Sequence, residues 1–143
     1  MIKVKDVMTK NVIYVTNDTP VIEAISLMAK NDITGVPVVE DDMTPAGILS
    51  EQDVIRLLHT YRDEKNRTVA DFMSQPAIHF DVEEPLLDAC YRLREKLRES
   101  SIRRVLVTSQ GKVVGIISRS DILICILNLC NEDAVLDCLN LGQ

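Results

Sequence analysis

The chain has 143 residues, of which 46% are hydrophobic and 27% are charged, enough apolar material for one compact domain with its own core. Its formal net charge is −6 at pH 7, and this acidic balance argues against generic nucleic-acid binding, which needs a basic surface. The longest apolar run, residues 122–130, is about half as long as a bilayer crossing requires. The N-terminal residues lack the apolar core of a secretory signal. We therefore expect a cytoplasmic protein that does not enter the membrane.

The four cysteines favour a reducing compartment. They form no Cys-x-x-Cys pair, and the two histidines lie far from them in sequence, so the spacing typical of a zinc site is missing. Most of them lie in apolar helical sequence, where a free cysteine behaves as a small hydrophobic residue. We interpret them as buried thiols and predict no metal site; they are Cys90, Cys125, Cys130 and Cys138.

Taken in order, the chain consists of two similar halves. Residues 4–9 open the first half, and residues 69–74 open the second with a similar pattern 65 residues later. A short β-prone stretch follows each opening. A proline then marks the start of a helix, at Pro20 in the first half and at Pro85 in the second. The repeat predicts that both halves have the same fold.

Two apolar strands come next in each half. They cover residues 35–39 and 46–49 in the first half and residues 104–108 and 113–117 in the second. Their nearly continuous apolar character indicates that both faces of each strand are covered. A further helix ends each half. The order is therefore strand, helix, strand, strand, helix, taken twice, in an α/β fold of the α+β type.

These elements divide the chain into four predicted parts. The first motif covers residues 1–60, a polar linker covers 61–68, and the second motif covers 69–130. Residues 131–143 have apolar side chains at helical spacing and predict a C-terminal helical extension. We expect this extension to be amphipathic enough to cover an oligomer interface.

A Ser-x-x-Asp sequence lies at the junction between the last strand and the last helix of each half. The pattern Gly-h-h-Ser-x-x-Asp, where h is apolar, occurs at residues 47–53 and again at 115–121. The serine and the aspartate can cap the helix that follows. A helix N-terminus with free N–H groups also attracts anions. Both interpretations, a cap alone and a ligand contact, are open from the residues themselves.

Three features of the chain resemble cystathionine-β-synthase (CBS) domains: the two openings at residues 4–9 and 69–74, the segment 33–39, and the two Gly-h-h-Ser-x-x-Asp sequences. The resemblance covers nearly the whole chain as two tandem copies. It implies a pseudo-two-fold pair of CBS motifs (β-α-β-β-α each), called a Bateman module, with clefts between the copies. Such modules commonly form homodimers through their helices. They typically bind adenosine ligands (AMP, ADP, ATP or S-adenosylmethionine) and regulate an attached or associated protein.

The resemblance also suggests which residues contact the ligand. Asp53 and Asp121 are the implied acceptors for the ribose hydroxyls, and Ser50 and Ser118 would lie beside the ribose or the phosphate. His79, on the opening strand of the second half, is a further candidate donor. The residues expected to surround the base, or to lie next to His79 on its strand, are apolar: Val36, Pro37, Ile78, Val105, Leu106 and Ile117.

The two halves differ in charge around this predicted site. Arg119 takes the position that Glu51 has in the first copy, and Arg103 and Arg104 replace an uncharged pair. A phosphate would meet a like charge at Glu51, whereas the arginines offer charge-assisted hydrogen bonds. We therefore expect a phosphorylated adenosine ligand at the second copy, with the first site empty or suited to a less charged ligand.

Catalysis has little support in the sequence. Neither His59 nor His79 has a recognisable nucleophile nearby, and no glycine-rich phosphate loop occurs. The acidic residues 40–42 favour a hairpin loop over a metal cluster. Two non-enzyme hypotheses follow: a sensor that binds an adenosine ligand without any obligatory cofactor and controls a protein still to be identified, or an interaction scaffold with vestigial clefts.

Overall fold

The computed structural model describes residues 1–57, 67–75, 78–97 and 104–130. Helix α1 (Val4–Val7) and the short strand β1 (Val15–Thr16) begin the chain. The remaining elements of the first copy are α2 (Val21–Lys30), β2 (Gly35–Val39), β3 (Pro45–Ser50) and α3 (Glu51–Leu57). Those of the second copy are a 3₁₀ turn (Val69–Asp71), β4 (His79–Asp81), α4 (Leu86–Leu97), β5 (Arg104–Ser109), β6 (Lys112–Ser118) and α5 (Arg119–Cys130). His59, Arg103, most of the predicted linker and the predicted extension at 131–143 lie outside the described residues.

Among the described residues, six strands form two sheets with the same strand order. The sheet orders are β1-β2-β3 and β4-β5-β6. In each sheet the first strand pairs in parallel with the second, with Val15 opposite Val38 and His79 opposite Leu106. β2 and β3 pair antiparallel. The predicted strand, helix, strand, strand, helix order and the α/β fold class are confirmed.

The chain separates into two compact units, which do not follow the order of the sequence. The first unit contains residues 12–78 and 111–113, and the second contains residues 1–11, 79–110 and the chain from 114 onwards. Each opening segment therefore belongs to the unit that is built on the other half's sheet. Local contacts show this directly, since Thr9 forms a β-bridge with Ile116 on β6 and Ser74 forms one with Ile48 on β3.

Each unit has its own apolar core. In the first unit, all five residues of β2 are buried, and Val36, Val38 and Leu49 pack with residues of α2 and with Val69 from the 3₁₀ turn. In the second unit, Phe80, Leu106 and Ile117 are buried together with apolar residues of α4. The apolar runs of β2 and β5 correspond to strands buried along their length, as predicted, whereas β3 and β6 alternate between buried and less buried residues, and Val114 on β6 is 40% exposed.

In each copy the helix that follows the first strand, α2 or α4, begins directly after a proline. Pro20 is the N-cap of α2 rather than its first helical residue, and Pro85 likewise immediately precedes α4. Both prolines form a β-bridge with the residue directly before an opening segment, Pro20 with Thr68 and Pro85 with Lys3. The start of each helix is therefore paired with the part of the chain that leads into an opening segment.

Candidate functional site

Both Ser-x-x-Asp sequences lie where the sequence predicts, at a strand-to-helix junction. β3 ends at Ser50 and β6 ends at Ser118, and a helix begins at the next residue in each case. The Ser50 N–H donates to Asp53 Oδ2 at 2.9 Å, and the Asp53 N–H donates to Ser50 Oγ at 3.3 Å. The corresponding distances for Ser118 and Asp121 are 2.9 Å and 3.1 Å. Both pairs are reciprocal caps that satisfy otherwise unpaired backbone donors.

Beyond this shared cap, the Asp53 carboxylate is closed to solvent. Asp53 is only 2% exposed, although it is charged. It accepts further hydrogen bonds from Ser50 Oγ at 3.0 Å and from Ser74 Oγ at 3.2 Å and 3.3 Å, one to each carboxylate oxygen. The guanidinium of Arg56 lies 3.6 Å from Oδ1. Protein groups therefore use both oxygens, which is what a buried carboxylate requires.

The Asp121 carboxylate is more open. Asp121 is half-buried, and Oδ2 is the oxygen that receives the Ser118 N–H. Among the described residues, no hydrogen bond reaches Asp121 Oδ1. This oxygen has lone pairs that can accept a hydroxyl group of a ligand.

The charges around the two junctions differ as the sequence indicates. Arg119 is exposed at the first position of α5, a helix of 12 residues, and Glu51 is exposed at the first position of α3. Backbone N–H groups at a helix N-terminus attract anions, and the positive charge of an arginine at the first position of α5 acts in the same direction. Arg104 is half-buried at the start of β5. Arg103 lies outside the part of the chain that the structure describes.

His79 lies on β4, an edge strand of its sheet. Its side chain is exposed, and Nδ1 is 3.2 Å from the Thr108 hydroxyl. Thr108 is itself buried, 3% exposed, and its hydroxyl donates to the Phe80 carbonyl at 3.4 Å. The Thr108 hydroxyl therefore orients the His79 ring. Ile78, the residue before His79, is half-buried.

The apolar residues predicted to wall the base are core residues of their sheets. They are all buried: Val36, Pro37, Val105, Leu106 and Ile117. Core packing by itself explains why these positions are apolar. A role in contact with a ligand stays a prediction for each of them.

Ser74 is the residue of this region that the sequence did not single out. Ser74 ends the opening of the second half, and its contact with Asp53 exists because that opening crosses β3. The only signal in the sequence was its hydroxyl, at the position where the first opening has Thr9.

Within the described ranges, no cluster of three or more His, Cys, Asp or Glu side chains has the arrangement needed to hold a metal ion. Over the same ranges, no helix has the length and apolar character that a membrane crossing demands.

The family model for the CBS domain matches residues 4–60 and 69–128, which together are most of the chain. The chain belongs to the CBS domain family. Each matched segment contains one of the two helices that begin at a capped Ser-x-x-Asp turn. The tandem pair predicted from the sequence is thereby confirmed.

Several proteins of this family are similar to the chain. Uncharacterized protein MJ1225 of Methanocaldococcus jannaschii is 32% identical over 84% of the chain. The chain spans 41% of MJ1225, and it spans 31% of the zinc metalloprotease MJ0392 of the same organism, which is 36% identical over the matched part.

Solved structures of CBS pairs have the same fold. CBSX2, crystallised in complex with AMP, superposes with a TM-score of 0.78 at 27% identity, over 91% of this chain and 99% of that chain. The CBS domain pair of MJ0100, in complex with 5′-methylthioadenosine and S-adenosyl-L-methionine, superposes with a TM-score of 0.71 at 25% identity, over 87% of this chain and 98% of that one.

Proposed function

We propose that this CBS pair is a regulatory module that binds an adenosine ligand, and that the ligand contacts the Ser118–Asp121 turn. The observation that carries the proposal is the Oδ1 of the half-buried Asp121, at the N-terminus of a 12-residue helix, which receives no hydrogen bond from the part of the chain that the structure describes. CBSX2 has the same fold and was crystallised with AMP. The family and the local geometry therefore support the same class of ligand.

In this proposal each part of the turn has a separate task. Asp121 Oδ1 accepts a ribose hydroxyl, while Oδ2 keeps the cap with Ser118. The N-terminal N–H groups of α5 and the exposed Arg119 attract the phosphate. AMP, ADP and ATP carry this negative charge at the phosphate, whereas the sulfonium group of S-adenosylmethionine is positive. We therefore rank the nucleotides ahead of S-adenosylmethionine.

The proposed role is binding without chemistry, in the cytoplasm, with control of a partner protein or of the module's own assembly as the output. Cys90 is a free thiol, and free thiols are typical of a reducing compartment. Relatives in which the CBS pair is a minor part of a longer chain, such as the zinc metalloprotease MJ0392, are consistent with a regulatory role.

The test is calorimetric titration of the protein with AMP, ADP, ATP and S-adenosylmethionine, together with a thermal melt. At about 100 times its dissociation constant, a ligand adds roughly 2.7 kcal/mol of stability and raises the melting temperature by several degrees. Asp121→Ala is expected to abolish this shift. The control is Asp88→Ala, which removes an exposed carboxylate from the first turn of α4. A folded wild-type protein that binds none of the four ligands would contradict the proposal.

A second candidate function, an interaction scaffold, is favoured by the surface of α5. Leu123, Ile124 and Leu127 are 61%, 57% and 64% exposed, and no charged residue occurs between Ile122 and Cys130. Exposed apolar surface of this kind is typical of a protein–protein contact, which here would be a homodimer through helices. Sedimentation of wild type and Leu127→Lys tests it, because the charge should dissociate such a dimer. The scaffold replaces the sensor only if the protein dimerises but binds no adenosine ligand.

A further inference from the structure

The two aspartates of the repeat have different surroundings, and the Ser74 hydroxyl is the group that a different part of the chain brings to Asp53. Ser74 Oγ lies 3.2 Å and 3.3 Å from the two carboxylate oxygens of Asp53. A ribose hydroxyl that bound this carboxylate would compete with Ser74 Oγ for the same two oxygens. Ser74 therefore supplies from within the chain the type of contact that the proposed ligand makes with Asp121.

The corresponding residue of the other opening, Thr9, makes no such contact with Asp121 within the described ranges. Its backbone has the same arrangement: the Thr9 N–H donates to the Ile116 carbonyl at 2.8 Å, and the Ser74 N–H donates to the Ile48 carbonyl at 2.9 Å. The side-chain contacts differ: both residues are exposed, but Ser74 Oγ reaches the Asp53 carboxylate, whereas no hydrogen bond joins the Thr9 hydroxyl to Asp121 among the described residues. The two copies thus have the same backbone hydrogen bonds at this crossing and differ in the contacts of the side chains.

We infer that the Ser74 hydroxyl takes the place at Asp53 that a ligand hydroxyl would take, so that each chain binds one adenosine ligand, at Asp121. This inference rests on the proposed function. Ser74 is part of the folded chain, so its hydroxyl is always close to Asp53, whereas a free ligand must pay the entropy of association. The ligand would also have to reach a carboxylate that is 2% exposed. Both effects favour the internal hydroxyl.

The first test is the stoichiometry of AMP binding, measured by calorimetry on the full chain. Wild type is expected to bind one AMP per chain. Ser74→Ala removes the hydroxyl and is expected to add a second, weaker binding event, and the matched control Thr9→Ala is expected to keep one. Two AMP per wild-type chain, or a single event in Ser74→Ala, would overturn the inference. A wild-type protein without AMP binding would instead remove the proposed function.

A second test needs no ligand and separates these failures. The Ser74 N–H donates to the Ile48 carbonyl at 2.9 Å, so we expect this amide to be protected from hydrogen exchange and the hydroxyl contact with Asp53 to help hold it in place. A hydrogen bond to a charged group is strong enough for its loss to accelerate local opening roughly tenfold. We expect exchange at residue 74 to accelerate to this extent in Ser74→Ala, and exchange at residue 9 to be unchanged in Thr9→Ala. Unchanged exchange in Ser74→Ala would show that the hydroxyl holds nothing and would overturn the inference whatever AMP does.

Discussion

Gly47 is expected to tolerate no side chain, because the opening segment of the second half (residues 69–74) lies directly against it. A Cβ atom at this position would be 2.6 Å from the Ser74 carbonyl oxygen and 3.0 Å from the Met73 sulfur. The thioether of Met73 is flexible and can turn aside. The Ser74 carbonyl cannot, because it accepts the Ile48 N–H at 3.3 Å and the Ser74 N–H donates back to Ile48 at 2.9 Å. Gly47→Ala must therefore displace this backbone crossing.

The size of the effect follows from these bonds. Each backbone hydrogen bond contributes about 0.5–1.5 kcal/mol net, so losing both costs roughly 1–3 kcal/mol, a range that also covers overpacked cores. Alanine regains roughly 0.5–1 kcal/mol over glycine within a strand. We expect Gly47→Ala to lower the free energy of unfolding by about 1–2 kcal/mol.

Urea unfolding of wild type, Gly47→Ala, Met73→Ala and the double variant measures this. If the carbonyl oxygen is the obstacle, Gly47→Ala costs the same in the Met73→Ala background as in wild type. Gly115→Ala serves as an internal repeat, because a Cβ there would be 2.9 Å from the Thr9 carbonyl oxygen and 2.7 Å from the Met8 sulfur. A neutral Gly47→Ala, or a cost that disappears when Met73 is shortened, would refute the close backbone approach.

Two further predictions concern acid stability and the core. Lys3 and Lys5 donate to Glu83 at 2.6 Å and 2.8 Å, and these hydrogen bonds lower the pKa of Glu83 from 4.5 to about 2. Because the folded-state pKa is depressed, the stabilisation is fully present above pH 4.5 and is lost as the pH falls towards 2. Glu83→Gln should therefore weaken the acid dependence of stability in this window, measured by urea midpoints, whereas an effect no larger than that of the exposed Glu23→Gln would contradict the role of the lysines. Leu106 is fully buried, and Leu106→Ala should cost about 2–5 kcal/mol in urea unfolding; a cost as small as that of Val114→Ala, which truncates a 40% exposed residue on β6, would place Leu106 outside the core.

Much of the fold could be predicted from the sequence because its signals are local. The apolar runs of β2 and β5, the prolines before α2 and α4, and the Ser-x-x-Asp caps each depend on residues that are close together in the chain. Strand burial and helix capping follow from side-chain polarity and from unpaired backbone groups, which are properties of short segments. The repetition of the signals gave the tandem organisation and the resemblance to the family.

The sequence did not predict that each opening segment contacts the sheet of the other half. Residues 4–9 bind β6 and residues 69–74 bind β3, and both contacts join parts of the chain whose order gives no sign of the pairing. The two glycines allow these crossings, but a glycine in an apolar strand is equally typical of a bulge or a turn.

The sequence by itself determined that the chain is a pair of CBS motifs with a capped aspartate in each copy. Only the tertiary structure decided that the two aspartates are unequal. The caps join residues three positions apart, so they follow from local sequence, whereas Ser74 and Asp53 are 21 positions apart and meet only where an opening segment crosses the other half's sheet. Whether a carboxylate is buried and saturated or open to a ligand depends on the donors that folding brings to it.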